Sequence, residues 1–196
     1  MQFNYHKNLQ GLHAPFSASQ PHWLRYDDDK LIERYRTKQA AERGSRLHAW
    51  AKETIDLKIK QRRSNETICA YINDAIGFQM STEVVLYYSD RFFGTADAIS
   101  FRDYKDRDGN RKKLLRIHDL KTGKEPAKIE QLYVYAALFC LEYRVKPHEI
   151  DIELRLYQND EILYDNPSAE DISAIMDHIV HADKLIFEQE RLLMEV

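Results

Sequence analysis

Asp97 lies inside an apolar run, Arg91-Phe92-Phe93-Gly94-Thr95-Ala96-Asp97-Ala98-Ile99-Ser100-Phe101. Asp119 and Lys121 stand two positions apart at the end of a second run, which begins near Lys113. A strand points every second residue to one face, so Asp119 and Lys121 project together while Leu120 points away. If the two runs pair as neighbouring strands, Asp97 approaches Asp119. Two carboxylates and an ammonium then share one half-buried patch of sheet. That arrangement is costly unless a divalent cation sits between the acids. Such a cation removes the carboxylate repulsion and can activate a water, which the lysine can hold or deprotonate.

The elements around these residues follow from periodicity and punctuation. Met80 to Tyr88, Phe92 to Phe101 and Lys113 to Leu120 read as an antiparallel meander, with turn signals at Ser89-Asp90 and Asp108-Gly109. Glu83 lies on the first of these strands and could supply a third carboxylate. Gly123 is expected to end the lysine strand, with Pro126 in the first turn of a helix that runs to about Tyr143. Gln131 and Tyr135 share a face of that helix, and Leu132, Ala136, Phe139 and Cys140 read as its core side. A glutamine amide and a phenol hydroxyl can donate to a phosphate or hold a lysine in place. Pro147 is expected to break the helix. Ile150 to Tyr157 alternates Ile152, Leu154 and Leu156 against Asp151, Glu153 and Arg155, as a half-covered strand does.

Upstream, a long helix is expected over about Asp28 to Gln61, with Leu47, Trp50, Ala51, Ile55 and Ile59 as its apolar stripe and His48 at the edge. Gly44, one turn before His48, lets another backbone or a nucleic acid approach closely. Residues 1–16 read as an extended lead-in, and Ser17 as the cap of a short helix to about Tyr26. A shorter helix is expected from Ser64-Asn65-Glu66 to about Ile76. A last helix should run from Asn166-Pro167 to about Leu193, burying Ile172, Ile175, Met176, Ile179, Leu185 and Ile186. His178 and His181 have ligand-like spacing but no third partner, and read as surface residues.

Taken together, these residues resemble the PD-(D/E)xK nuclease superfamily, in its RecB-like exonuclease branch. Asp97 followed by Asp119-Leu120-Lys121 is similar to the signature itself. Gly94-Thr95-Ala96-Asp97 resembles the branch's G-x-x-D, and Lys121-Thr122-Gly123 continues its D-x-K-T-G. Gln131 and Tyr135 match its Q-x-x-x-Y element, and Gly44-Ser45-Arg46-Leu47-His48 its G-x-x-x-H helix. The ordered set covers roughly Ser17 to Tyr157. The resemblance implies an α/β (α+β) fold: a restriction-endonuclease-like core whose mixed sheet has about four strands between helices. One domain would span 1–196, its core near 80–157, with the His48 helix and the C-terminal helix packed on it.

The resemblance also implies an activity, a Mg²⁺- or Mn²⁺-dependent deoxyribonuclease. A RecB-like exonuclease of recombination, repair or phage DNA processing is expected first. A structure-specific endonuclease on the same core and a catalytically idle DNA-binding module are the alternatives. Asp97, Asp119, His48 and the Leu120 carbonyl would hold the ion. Lys121 would orient the attacking water. Gln131, Tyr135 and Glu83 would assist, and Arg43, Arg46, Lys124 and Lys128 would meet the DNA backbone. The resemblance leaves a homo-oligomer and a recombination partner protein open.

Composition narrows the classes. The chain has 196 residues, 43% hydrophobic and 31% charged, enough for a real core. No apolar run approaches the ~20 residues that span a bilayer, and the N-terminus lacks a signal-peptide pattern, so no membrane association and a cytoplasmic protein are expected, in the host cytoplasm if phage-encoded. Two cysteines, Cys69 and Cys140, are too few for the four-thiolate iron–sulfur cluster of some relatives, and read as buried free thiols. A net charge of −3 is not the balance of a general nucleic-acid binder. Basic residues nonetheless gather at Arg34 to Arg46, at Lys58 to Arg63, and from Lys112 to Lys128 beside the proposed site.

Overall fold

The computed structural model describes residues 4, 6–9, 14–106 and 108–194. The chain divides into two compact units, Met1–Arg46 and Leu47–Val196. In the first, short 3₁₀ turns occupy Lys7–Leu9 and Pro21–Arg25, and helix α1 (Asp28–Asp56) begins. The helix expected from Ser17 to Tyr26 is a 3₁₀ turn instead. Ser17 closes a local turn, its carbonyl accepting from the Trp23 indole at 3.0 Å. Of the expected lead-in over 1–16, residues 1–3, 5 and 10–13 lie outside those described. The Asp27 carboxylate accepts the Lys30 N–H at 2.8 Å and so caps α1.

The second unit is a mixed five-stranded sheet with helices on both faces. Strands β1 (Ser81–Ser89), β2 (Phe92–Lys105) and β3 (Arg111–Leu120) form an antiparallel meander. Helix α3 (Glu130–Tyr143) then crosses over, and β4 (Asp151–Gln158) joins β3 in parallel. A fifth strand, β5 (Glu161–Asp165), pairs with β4 through a tight turn and was not among the expected four. Its signal is Asn159-Asp160, both at positive φ (50° and 61°), as a two-residue hairpin turn requires. The β2–β3 turn forms as read. Gly109 has φ +85°, and the Asp106 carboxylate accepts the N–H groups of Asp108 and Asn110.

Each face of the sheet has its own core. Leu86, Leu115, Ile117 and Leu154 pack with Leu132, Ala136 and Phe139 of α3 and with Ile172 and Ile179 of α4 (Ala169–Met194). On the other face, Ala98, Leu120 and Tyr157 pack with Ala51 and Ile55 of α1 and with Tyr71, Ile72 and Ala75 of α2 (Thr67–Gly77). Among the described residues, no helix is long and apolar enough to cross a membrane.

A left-handed residue closes two of the helices: α3 ends at Tyr143 as expected, and α1 ends earlier than expected. α1 stops at Asp56, not Gln61, because Lys58 turns left-handed (φ 57°) and the Ile59 N–H bonds back to the Thr54 carbonyl. α3 stops because Arg144 does likewise (φ 53°), ahead of Pro147. The stripe on α1 is therefore shorter than read: Ala51 and Ile55 are buried, whereas Trp50 and Ile59 are exposed. α4 starts after a Ser168–Asp171 capping box. It buries Ile172 and Ile179, but Leu185 and Ile186 are exposed, contrary to the expected face. Both cysteines are free thiols. Cys140 is buried and Cys69 only partly so.

Candidate active site

The site forms where strand pairing stops. β2 and β3 pair from Lys105↔Arg111 to Ala98↔His118 and no further. Asp97 and Asp119 are the next positions in that register. Beyond it, the Leu120 N–H donates to Asp97 Oδ2 at 3.0 Å, while the Lys121 N–H still bonds the Tyr157 carbonyl of β4 at 2.9 Å. The first acid is thus fixed to the backbone between Asp119 and Lys121. A strand residue's carbonyl leaves on the same side as its own N–H, so the Leu120 carbonyl also faces β2.

The facing of β2 switches at Asp97. Ala96 packs in the α3-side core and Ala98 in the α2-side core, whereas a regular strand keeps i and i+2 on one face. Across the β1–β2 ladder, Glu83 is the position opposite Asp97, between the pairs Thr82↔Ala98 and Val84↔Ala96. Glu83 has φ +51° in mid-strand. A non-glycine residue held there stores of order 1–3 kcal/mol of strain, and such strain clusters at functional sites. Glu83 is exposed and lies beside the acids.

His48 stands on α1 with Nδ1 3.4 Å from Asp97 Oδ2. Ala51 and Ile55, three and seven residues on, dock the helix. The Thr82 hydroxyl donates to Asp56 at 2.6 Å and ties the helix end to β1. Asp119 is 2% exposed. Its carboxyl is pushed up to about 6, first by burial and then by the charge of Asp97, against the pull of Lys121 and His48. Its Oδ2 lies 3.0 Å from the Lys121 ammonium but accepts no hydrogen bond.

From Lys121 a chain of hydrogen bonds runs onto α3. Lys121 Nζ donates to Asp119 Oδ1 at 3.3 Å and to Gln131 Oε1 at 2.8 Å. An ammonium only donates, so the Gln131 carbonyl must face it and the amide nitrogen must face away. That nitrogen donates to the Tyr135 hydroxyl at 2.7 Å, which leaves the phenol's own proton free to donate outward. The helix carrying this pair starts at Glu130 rather than at Pro126, and Lys121 sits one residue past the end of β3.

The donor chemistry fits a hard divalent cation: two carboxylates, an imidazole and a backbone carbonyl. Asp119 Oδ2 is buried and accepts no hydrogen bond, and burial and the Asp97 charge raise the carboxyl's pKa despite the nearby Lys121, an excess of negative charge of the kind a cation relieves. Among the described residues, however, no group of three His, Cys, Asp or Glu side chains converges as a ready cage. Asp97 Oδ2 is already engaged by the Leu120 N–H and lies against His48.

Of the predicted DNA contacts, Lys124 and Lys128 are exposed on the segment between β3 and α3. Arg43 and Arg46 are exposed on the part of α1 that belongs to the first unit. The basic run from Lys112 to Lys128 does not act as one patch, since Arg116 bonds Glu153 and Lys112 lies between Asp106 and Asp151.

Three residues at the site escaped the sequence reading. Gly94 was noted only as part of a motif. A Cβ there would meet the Tyr135 ring at 2.8 Å. Tyr71 is a buried phenol packed edge-on against Tyr157. Its ionisation is pushed up by burial and by the charges of Asp97, Asp119 and Glu83. Gln158 holds the segment that follows Lys121. The glycine spacing was visible, but no local signal marks the other two. Comparison with known proteins adds no relative: no family model, curated protein or solved structure matches the chain.

Proposed function

We propose that the second unit is a metal-dependent nuclease that hydrolyses phosphodiester bonds in DNA, an exonuclease by its resemblance to the RecB-like branch. The observation that carries this is the hydrogen-bonded line Asp119–Lys121–Gln131–Tyr135, set beside Asp97 at the point where β2 and β3 part. A network that only stabilised the fold would balance its charges. Here the buried Asp119 meets one ammonium while the charge of half-buried Asp97 acts against it.

Asp97, Asp119, His48 and the Leu120 carbonyl are the groups that would hold Mg²⁺ or Mn²⁺. When bound, the ion would polarise the phosphoryl oxygens and lower the pKa of a water. Lys121, fixed by Asp119 and Gln131, orients that water. The outward Tyr135 hydroxyl donates to a non-bridging phosphate oxygen. Lys124 and Lys128 hold the flanking backbone without reading bases.

The test uses end-labelled linear duplex, single strand and closed circle, each with Mn²⁺, Mg²⁺ or EDTA, beside Lys121→Ala and Asp119→Asn. Metal-dependent loss of the linear substrates alone, absent in both variants, is expected. Cutting of the closed circle would move the assignment to an endonuclease on the same core. Binding without cleavage of any substrate would leave a DNA-binding module, and full activity in either variant would remove the catalytic assignment.

A further inference from the structure

The segment between Lys121 and Glu130 joins the two ends of the lysine's hydrogen bonds, yet it lacks support from its own backbone. Among the described residues, no backbone–backbone hydrogen bond involves residues 122–128. A loop in that state is free to move unless side chains take up its polar groups. Two side chains do so here, and one of them makes three of the four bonds. Gln158, the last residue of β4, donates both amide hydrogens, to the Gly123 carbonyl at 2.8 Å and to the Glu125 carbonyl at 2.7 Å. Its Oε1 accepts the Ala127 N–H at 2.8 Å. Asn159 adds a bond to the Lys124 carbonyl at 3.2 Å. Gln158 is itself held in place, because it pairs with Glu161 across the tight Asn159-Asp160 turn.

We propose that Gln158, seconded by Asn159, is a positioning residue for the lysine of the active site. This inference rests on the nuclease reading above. With residues 123–127 pinned to the β4–β5 turn, Lys121 is held at the distance at which it reaches Asp119 and Gln131 together. Lys124 and Lys128 are then presented on one side of a fixed loop. The amide geometry is specific: only a group with two donors and one acceptor at the tip of a glutamine-length chain makes these three bonds. Loosening the loop is therefore expected to weaken both the chemistry at Lys121 and the grip of Lys124 and Lys128 on the strand.

The experiment compares wild type with Gln158→Met, which keeps the length of the side chain and removes all three bonds. Amide hydrogen exchange at Ala127 is expected to speed up by about tenfold or more, with exchange in β3 and α3 unchanged. On a labelled linear DNA with Mn²⁺, kcat is expected to fall about tenfold and KM to rise severalfold, while Tm stays within a few degrees. A residue that only stabilised the fold would lower Tm and the active fraction together and leave KM alone. The KM rise should not add to that of Lys124→Ala/Lys128→Ala when the variants are combined, because all act through one loop. Unchanged Ala127 exchange overturns the clamp. Faster exchange with wild-type kcat and KM overturns its role in catalysis. A wild type that cuts no DNA sinks the nuclease reading and the catalytic role with it, while the exchange measurement still decides whether the clamp exists.

Discussion

β3 carries a polar cluster on each face, and the two are built on opposite plans. On the α3 side, Asp119 faces the single ammonium of Lys121 and feels the charge of Asp97, and its Oδ2 lacks a hydrogen bond. On the α2 side, two carboxylates meet two guanidinium groups. Glu153 accepts from Arg116 at 3.1 Å and from Arg155 at 2.9 Å, and Asp74 accepts from Arg155 at 2.9 Å and from the Tyr157 hydroxyl at 2.7 Å. Both arginines lie over the Phe78 ring. Glu153 is held down to about 2 by His118, Arg155 and Arg116, whereas Asp119 is pushed up to about 6. His118 stands 3.9 Å from Glu153, beyond hydrogen-bond length, so we assign the larger share to the two arginines. Burial pushes the His118 imidazole below its usual pKa. The same strand thus has a face whose charges are balanced within the fold and one whose balance calls for something brought from outside.

If the contrast is right, breaking the balanced side should harm the fold and spare the chemistry. Arg155→Ala leaves Glu153 and Asp74 short of a partner and is expected to cost about 2–3 kcal/mol of stability, below the range for a fully buried pair because all three groups are partly exposed. Chemical denaturation measures this. The remaining folded protein should cut DNA at the wild-type rate per active site. An equal loss of activity per folded molecule would mean that the two faces are one site.

The two acids should also give opposite pH dependence to stability. Asp119 binds its proton more tightly folded (about 6) than unfolded (3.8), so its ionisation costs stability. That cost is absent below pH 4, grows as pH rises through 4 to 6, and amounts to about 3 kcal/mol above. In EDTA, Asp119→Asn should therefore be more stable than wild type at pH 7.5 and equal to it at pH 4. Glu153 is shifted the other way, from 4.5 to about 2. Its contribution is complete above pH 4.5 and is lost as pH falls towards 2. It is partly solvated, which limits it to about 1–2 kcal/mol. Thermal melts of wild type, Asp119→Asn and Glu153→Gln across this range separate the two. An Asp119→Asn variant less stable than wild type at pH 7.5 would mean that the carboxylate is not destabilised where it sits.

What the sequence revealed follows the range of the interactions. The meander, the crossover helix and the ordering of Asp97, Asp119, Lys121, Gln131 and Tyr135 were legible, because alternation and spacing are local. β5 was missed because its turn is Asn159-Asp160 rather than a glycine pair. The early end of α1 was missed because Lys58, a poor signal for the left-handed region, adopts it. The balanced cluster was invisible. Glu153 and Arg155 read as the polar side of a half-covered strand and Asp74 was not singled out, and only the packing of α2 over β3 and β4 brings them together with Arg116. Arg116 was therefore counted with the basic residues beside the site, although its charge is spent on Glu153.

The smallest effect concerns a position with no polar atom in its side chain. Gly94 of β2 lies against the Tyr135 ring so closely that an added Cβ would sit 2.8 Å from Cε1. Gly94→Ala must therefore push the ring or the strand aside. Tyr135 takes its hydrogen bond from Gln131, which in turn receives one from Lys121, so a displaced ring loosens the line that ends on the lysine. The strand itself has an easy alternative, since Tyr135 is only half-buried and its ring can swing outward. Stability should then fall by less than about 1 kcal/mol, within the range for a tolerated strand substitution. DNA cleavage should fall severalfold, mostly in kcat. Combining it with Tyr135→Phe, which keeps the ring and removes the hydroxyl, gives the sharper reading. If Gly94 matters through where it places that hydroxyl, the alanine should add little once the hydroxyl is gone. Additive losses would mean that Gly94 acts on β2 and Asp97 directly, and the line from Lys121 to Tyr135 would then be only one of two routes by which this face of the sheet is set.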